Sequence, residues 1–205
     1  LALQHLKDDP DRVPFGIPTI PDLSHDEFFG FLKKRKGLLD GVCITGGEPL
    51  LNSDIDEFIK EIRSLGYSVK LDTNGYFPKK LRNLLDNNLI DYVAMDIKNS
   101  LDKYSLTVGC SPDSLIENIQ ESVNVLKNGN VPFEFRTTVV KQLHTEEDFE
   151  SIGKWLGPVD KYFLQNFVDS GDLIDKTMTG CSEEEMKSFL ETVRKFIPHA
   201  ELRGI

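Results

Sequence analysis

Short apolar runs alternate with amphipathic stretches along most of this chain, and that alternation limits its fold more than any other feature. The runs "GVCIT", "YSVKLDTNG", "DYVAMDIK", "PFEFRTTVV", "DKYFLQNF" and "AELRG" read as strands. Between them lie stretches with apolar residues at helical spacing, such as Ile55, Phe58, Ile59 and Ile62 in "SDIDEFIKEIRSLG". Strands that alternate with helices in this way form βαβ units and a parallel sheet, with right-handed connections. The expected fold is therefore α/β, a parallel sheet curved into a full or partial (β/α) barrel. No linker or break in composition divides it, so residues 1–205 are expected to form one domain. An irregular, Pro-rich entry over 1–23 (Pro10, Pro14, Pro18, Pro21) precedes βα repeats over 24–205.

Helix boundaries can be placed from local chemistry. In the first helix Ser24 is the expected N-cap and Gly37 the stop, with Phe28, Phe31 and Leu32 on the apolar face. Ser53 is expected to cap the second helix and Gly66 to punctuate its end, while Pro78 sits in the first turn of the third. "PDSLIENIQESVNVLKNGN" reads as a long helix ending at Gly129. "TEEDFESIGKWLG" and "SEEEMKSFLETVRKFIP" read as two more.

Composition narrows the function classes. A net charge of −10 argues against nucleic acid, since phosphate binding needs a basic surface. No apolar run approaches the ~18 residues of a membrane span, and "LALQHLKDDP" has no signal-peptide pattern. The cysteines number three, Cys43, Cys110 and Cys181, too widely spaced for a metal knuckle or a disulfide framework. A reducing, cytoplasmic setting is the default. Cys43, between Val42 and Ile44, is expected to be a small core residue, and the other two to be incidental loop residues.

Ligands of parallel α/β folds sit at the carboxyl ends of the strands. Here the first strand ends in Gly46-Gly47-Glu48, the second in Asp72-Thr73-Asn74-Gly75 and the third in Asp96-Ile97-Lys98. Glu48, Asp72 and Asp96 follow one another at intervals of 24 residues, one βα unit per step. Further round come Arg136 and Thr137, then Gln165 and Asn166. Three carboxylates on one rim would repel, by roughly 2–3 kcal/mol per pair at ~6 Å and an effective dielectric of ~20. A cation must offset this: Lys98, Arg136, a metal ion or a positively charged ligand. Alternatively, the acids are separate helix caps facing water. The paired glycines clear side chains from the rim and let a ligand reach backbone.

With "TGGEPLL", "LDTNG" and "YVAMDIK" in order at successive strand ends, the chain resembles the radical S-adenosylmethionine enzymes. Within them it is similar to the glycyl-radical-enzyme activating proteins, those of anaerobic ribonucleoside-triphosphate reductase and pyruvate formate-lyase. The resemblance runs from about Ile17 to the terminal "LRG". It implies that the backbone of Gly46-Gly47-Glu48 binds the methionyl amino group, with the Glu48 carboxylate structural. It implies that Lys98 meets the methionyl carboxylate and that Arg136 contacts the cofactor. Asp72, Thr73, Asp96 and the Ile97 backbone resemble a monovalent-cation site, and the resemblance counts Asp72, Thr73, Asn74 and Asp96 among the cofactor-binding residues. The activators carry a histidine on the following strand, where this chain has Gln165-Asn166. No side chain is expected to act as an acid–base catalyst.

The family holds a four-iron, four-sulfur cluster on a CxxxCxxC motif after its first strand, and cluster iron needs thiolates. This sequence contains no such motif, and "GVCIT" resembles the family's second strand rather than its first. A chain starting inside a longer one is the simplest expectation, with the Cys43 strand left as an unpaired edge. Two functions then compete. In the first, the intact protein reductively cleaves S-adenosylmethionine and its 5′-deoxyadenosyl radical takes hydrogen from a glycine of a glycyl radical enzyme. These 205 residues alone would then be inactive and bind the cofactor only weakly. In the second, the chain is a cluster-less barrel that binds a partner or a nucleoside.

Overall fold

A computed structural model describes residues 23–109, 114–169 and 175–204. The entry segment before Leu23 and the loop holding Cys110 lie outside the described residues. Six strands, β1 (Gly41–Ile44), β2 (Ser68–Thr73), β3 (Tyr92–Asp96), β4 (Phe133–Val139), β5 (Tyr162–Asn166) and β6 (Glu201–Arg203), form one sheet in sequence order. Every neighbouring pair is parallel. Among the described residues β1 and β6 are the two edges, so the sheet is an open, partial barrel.

Seven α-helices accompany it: α1 (His25–Lys34), α2 (Ile55–Ser64), α3 (Pro78–Asp86), α4 (Tyr104–Val108), α5 (Leu115–Lys127), α6 (Glu146–Leu156) and α7 (Glu183–Arg194). Ser24 caps α1 in a reciprocal capping box with Glu27, and Ser182 and Glu185 do the same for α7. Pro78 opens α3 where its missing N–H costs nothing. Sequential strand order with same-handed crossovers puts the helices on one face of the sheet. The residues turned toward them are the core: Val69, Leu71, Val93, Met95, Phe135, Val139, Tyr162 and Leu164.

Several local expectations need correction. Asp54, not Ser53, is the N-cap of α2, and its side chain makes no capping bond. Helix α1 ends at Lys34, and Gly37, at φ +79°, belongs to the turn beyond. Helix α5 ends at Lys127 with Asn128 as its C-cap, before Gly129. Phe29, not Phe31, joins Leu32 in the core, leaving Phe31 46% exposed beneath the Arg35 guanidinium. Cys43 is exposed: Val42 and Ile44 take the helix-facing positions of β1, and strand alternation turns Cys43 to the opposite face. Cys181 is buried, its backbone N–H and C=O both bonded to the Asn166 carboxamide. Two short 3₁₀ turns, Pro49–Leu51 and Leu101–Lys103, and the helix α4 fall where the sequence reading assigned no element.

Candidate active site on the concave face

In-register partners in a parallel sheet share a face, and the registers Cys43↔Lys70, Lys70↔Tyr92, Asp72↔Ala94, Ala94↔Glu134 and Asp96↔Arg136 collect the charged side chains on one side. This face lies opposite the helix-packed core. At its centre is the Arg136 guanidinium. It donates from Nη1 to Asp72 Oδ2 at 3.1 Å, and from Nε and Nη2 to Asp96 Oδ1 at 3.2 and 3.0 Å. Lys70 Nζ reaches Asp72 Oδ1 at 2.6 Å, and Lys98 Nζ reaches Asp96 Oδ2 at 2.8 Å. Burial alone would raise the Asp72 carboxyl, but Lys70 and Arg136 outweigh it and hold it below the usual carboxylate range. Burial works against the charge of Arg136, and Asp96 and Asp72 overcome it.

The expected repulsion is thus answered within the chain. Three cations face two carboxylates, leaving a local excess of positive charge inside a protein of net charge −10. Of the groups assigned to a monovalent cation, Asp72 and Asp96 share Arg136. Thr73 Oγ1 donates to Glu48 at 2.8 Å, and the Ile97 carbonyl accepts from Thr137 Oγ1 at 2.7 Å. Among the described residues no three His, Cys, Asp or Glu side chains are grouped to hold a metal ion.

Glu48 does not stand on this face with the other two acids. It is 5% exposed and accepts from Leu50 N at 3.1 Å, Thr73 Oγ1 at 2.8 Å and Asn74 N at 2.6 Å. Burial pushes its carboxyl up despite these three donors. It caps the 3₁₀ turn after β1 and ties that turn to the end of β2. The Asn74 side chain closes a turn by accepting from Tyr76 N at 2.9 Å. Glu48 thus caps a short 3₁₀ turn but is buried, and Asp72 and Asp96 are ion-paired, so none of the three is a helix cap facing water.

Between Thr45 and Glu48 the backbone is bare. Gly46 has φ +119°, and a Cβ on either Gly46 or Gly47 would meet nothing within 4 Å. Cys43 and Thr45 flank this turn, with Sγ 3.7 Å and Oγ1 3.5 Å from Asp72. Burial first, and Asp72 second, push the Cys43 thiol up, so it stays protonated and donates.

Sequence reasoning missed a second tier below the first. Glu134 accepts from Arg203 Nη1 and Nη2 at 2.8 and 3.0 Å and from the Tyr92 hydroxyl at 3.0 Å, while the guanidinium lies 3.3 Å from the Phe163 ring centre. It also missed Lys70. The signal was present as a period of two, since Lys70-x-Asp72 and Glu134-x-Arg136 place charges on one face of each strand. Gln165 is exposed at the strand end, while Asn166 turns away to hold Cys181.

The open sheet, the bare glycine turn and the charged strand ends together form a polar site at the carboxyl ends of parallel strands. The profile of the radical SAM superfamily matches residues 13–156, and the chain belongs to that superfamily, an oxidoreductase class. Membership implies S-adenosylmethionine and a four-iron, four-sulfur cluster as cofactors. A Methanocaldococcus jannaschii protein named "Putative glycyl-radical enzyme activating enzyme" is 36% identical over 171 residues, 81% of this chain and 71% of that protein. The Helicobacter pylori GTP 3′,8-cyclase is 31% identical over 114 residues, 53% of this chain and only 34% of that enzyme. In fold, a domain of the pyruvate-formate lyase-activating enzyme of Bacteroides vulgatus superposes with a TM-score of 0.61 at 19% identity, covering 81% of this chain and all of that domain.

The described residues fit the two implied cofactors differently. A turn without side chains at Gly46 and Gly47, beside three cations that outnumber the two carboxylates they pair with, is compatible with the methionyl end of S-adenosylmethionine. The cluster does not fit them: Cys43, on edge strand β1, and Cys181, held by Asn166 of β5, are both free thiols, and among the described residues no three metal-ligating side chains are grouped. Among the described residues no helix is long and apolar enough to cross a membrane.

Proposed function

We propose that this chain is the cofactor-holding barrel of a cytoplasmic glycyl-radical-enzyme activating enzyme, and that its concave rim binds the methionyl end of S-adenosylmethionine. The observation that carries the reading is the excess of cation over carboxylate at the strand ends, beside a turn with no side chains. In this reading the backbone of Gly46 and Gly47 takes the amino group and Lys98 Nζ takes the carboxylate. Arg136 keeps Asp72 and Asp96 neutralised so that an anionic group can approach. Glu48 shapes the turn and moves no proton. The similarity to a protein named as an activating enzyme supports a protein partner bearing the glycine. We assign no role to Cys43 in cluster binding.

Calorimetric titration with S-adenosylmethionine tests this. The few charge-assisted hydrogen bonds on offer, each contributing ~1.5–3 kcal/mol, support micromolar binding at best. Lys98→Ala should weaken it at least about tenfold. Nanomolar binding by these residues, or an unchanged affinity in Lys98→Ala, contradicts the assignment. A nucleoside-binding module is the second reading, favoured by the similarity to a GTP cyclase. It predicts that adenosine or GTP binds as tightly as S-adenosylmethionine.

A further inference from the structure

The segment that carries Lys98 is held from behind by buried polar side chains of three other parts of the chain. The Tyr104 hydroxyl of α4 accepts from Lys98 N at 3.3 Å, and Thr137 Oγ1 of β4 donates to the Ile97 carbonyl. The wholly buried Asn99 donates to Thr107 Oγ1 at 2.8 Å and to the Leu143 carbonyl at 2.9 Å, and accepts from Ser100 N at 2.7 Å. Asp148, 4% exposed, accepts from Ser100 Oγ at 3.1 Å. The remaining bond comes from His144, 4% exposed and stacked on Phe149, whose Nε2 lies 2.9 Å from the Lys98 carbonyl.

The imidazole's tautomer follows from its partners. The Lys98 carbonyl can only accept, so Nε2 carries a proton. Nδ1 lies 3.1 Å from Val140 N and 3.2 Å from the Val140 carbonyl, and in the neutral ring that burial favours it accepts from Val140 N. The ring is then neutral with both nitrogens occupied. No buried side-chain nitrogen or oxygen among the described residues lacks a partner. Such a fully satisfied network has one arrangement, since a slipped one strands buried donors or acceptors. On the concave face it presents the Lys98 ammonium over Asp96.

We infer that His144 is a positioning residue for the ligand site: its Nε2–H clamps the Lys98 carbonyl and so aims the Lys98 ammonium at a carboxylate. The inference rests on the proposed role of Lys98. It adds that selection for a carboxylate-bearing ligand depends on a residue that never touches the ligand.

The test compares S-adenosylmethionine with its decarboxylated analogue by calorimetry in the wild type, Lys98→Ala, His144→Asn and His144→Gln. Asn can replace Nδ1 as acceptor for Val140 N–H but cannot reach Lys98, whereas Gln can place an amide N–H near Nε2. Wild type should prefer S-adenosylmethionine by about tenfold, and His144→Asn should lose most of that preference while binding the analogue as before. His144→Gln should restore it. General destabilisation would weaken both ligands alike and leave the ratio unchanged. Preference retained in His144→Asn overturns the inference alone. Equal affinities in the wild type, with Lys98→Ala silent, overturn the role of Lys98 and the inference with it. Independently of any ligand, ¹⁵N spectra of the histidine ring should show Nε2 protonated and Nδ1 bare. The opposite tautomer at His144 overturns the clamp.

Discussion

Glu48 and Asp72 show how alike carboxylates diverge with their surroundings. Asp72 lies between Lys70 and Arg136, whereas Glu48 has three neutral donors and no cation. Neutralising Glu48 as Glu48→Gln should nonetheless destabilise the protein, by about 1–3 kcal/mol at pH 7 in urea unfolding, because the amide would point an N–H at a backbone donor. An unchanged midpoint would show that burial of the charge, not the bonding pattern, dominates there. Asp148 behaves in the opposite sense to Glu48. Burial would raise it, but Lys103 and the Thr145 and Ser100 donors hold it below the usual range. Its folded pKa lies below its unfolded value of about 3.9, so its contribution is complete above that value and is lost as pH falls through the folded pKa. Asp148→Asn should therefore flatten the acid limb of stability against pH, below about pH 4, relative to wild type. At this level Cys43 was misjudged, since an apolar run does not say which of its residues faces the helices.

Strands and helices were legible because each carried its own period, and all six strands stand where the apolar runs lie. Ends were less so. Ser53 is an excellent cap by residue type, but the chain enters α2 one residue later, with Asp54 at φ −100°. The concave face went unread because parallel strands are expected to be apolar on both sides. A partial barrel breaks that rule by leaving its inner face to polar pairs such as Glu134 with Arg203. The link between β2 and α3 offers a sharp test of packing on the other face. Gly75 has φ +81°, and a Cβ there would overlap Met95 Cε and Sδ, which are fully buried. Gly75→Ala should cost about 2–4 kcal/mol, through left-handed strain together with overpacking. Gly47 is not at positive φ and a Cβ there meets no neighbour, so the cost of Gly47→Ala should be smaller and should fall on ligand affinity. Equal thermal shifts for the two variants would contradict this.

For the molecule as a whole, the acidic exterior and the cationic rim are separate features, and net charge alone predicted nothing about the site. Asp72 and Asp96 come to one face because successive βα units repeat at a constant step, whereas Glu48 is drawn into the turn after β1. The partners of Asp72 and Asp96 are Lys70 and Lys98, each two residues away, and Arg136 of β4, which the 24-residue step alone does not reveal. With cysteines only at 43, 110 and 181, these 205 residues should form no 5′-deoxyadenosine after reconstitution with iron and sulfide and reduction. Detecting it by chromatography would contradict that expectation. The binding assignment itself is tested most directly by ¹H–¹⁵N NMR titration of the chain with S-adenosylmethionine. The account predicts shifts concentrated at Gly46, Gly47, Lys98 and the Arg136 side chain, saturating in the micromolar range or above. Shifts confined to residues away from the concave face, with these four unmoved, would contradict it.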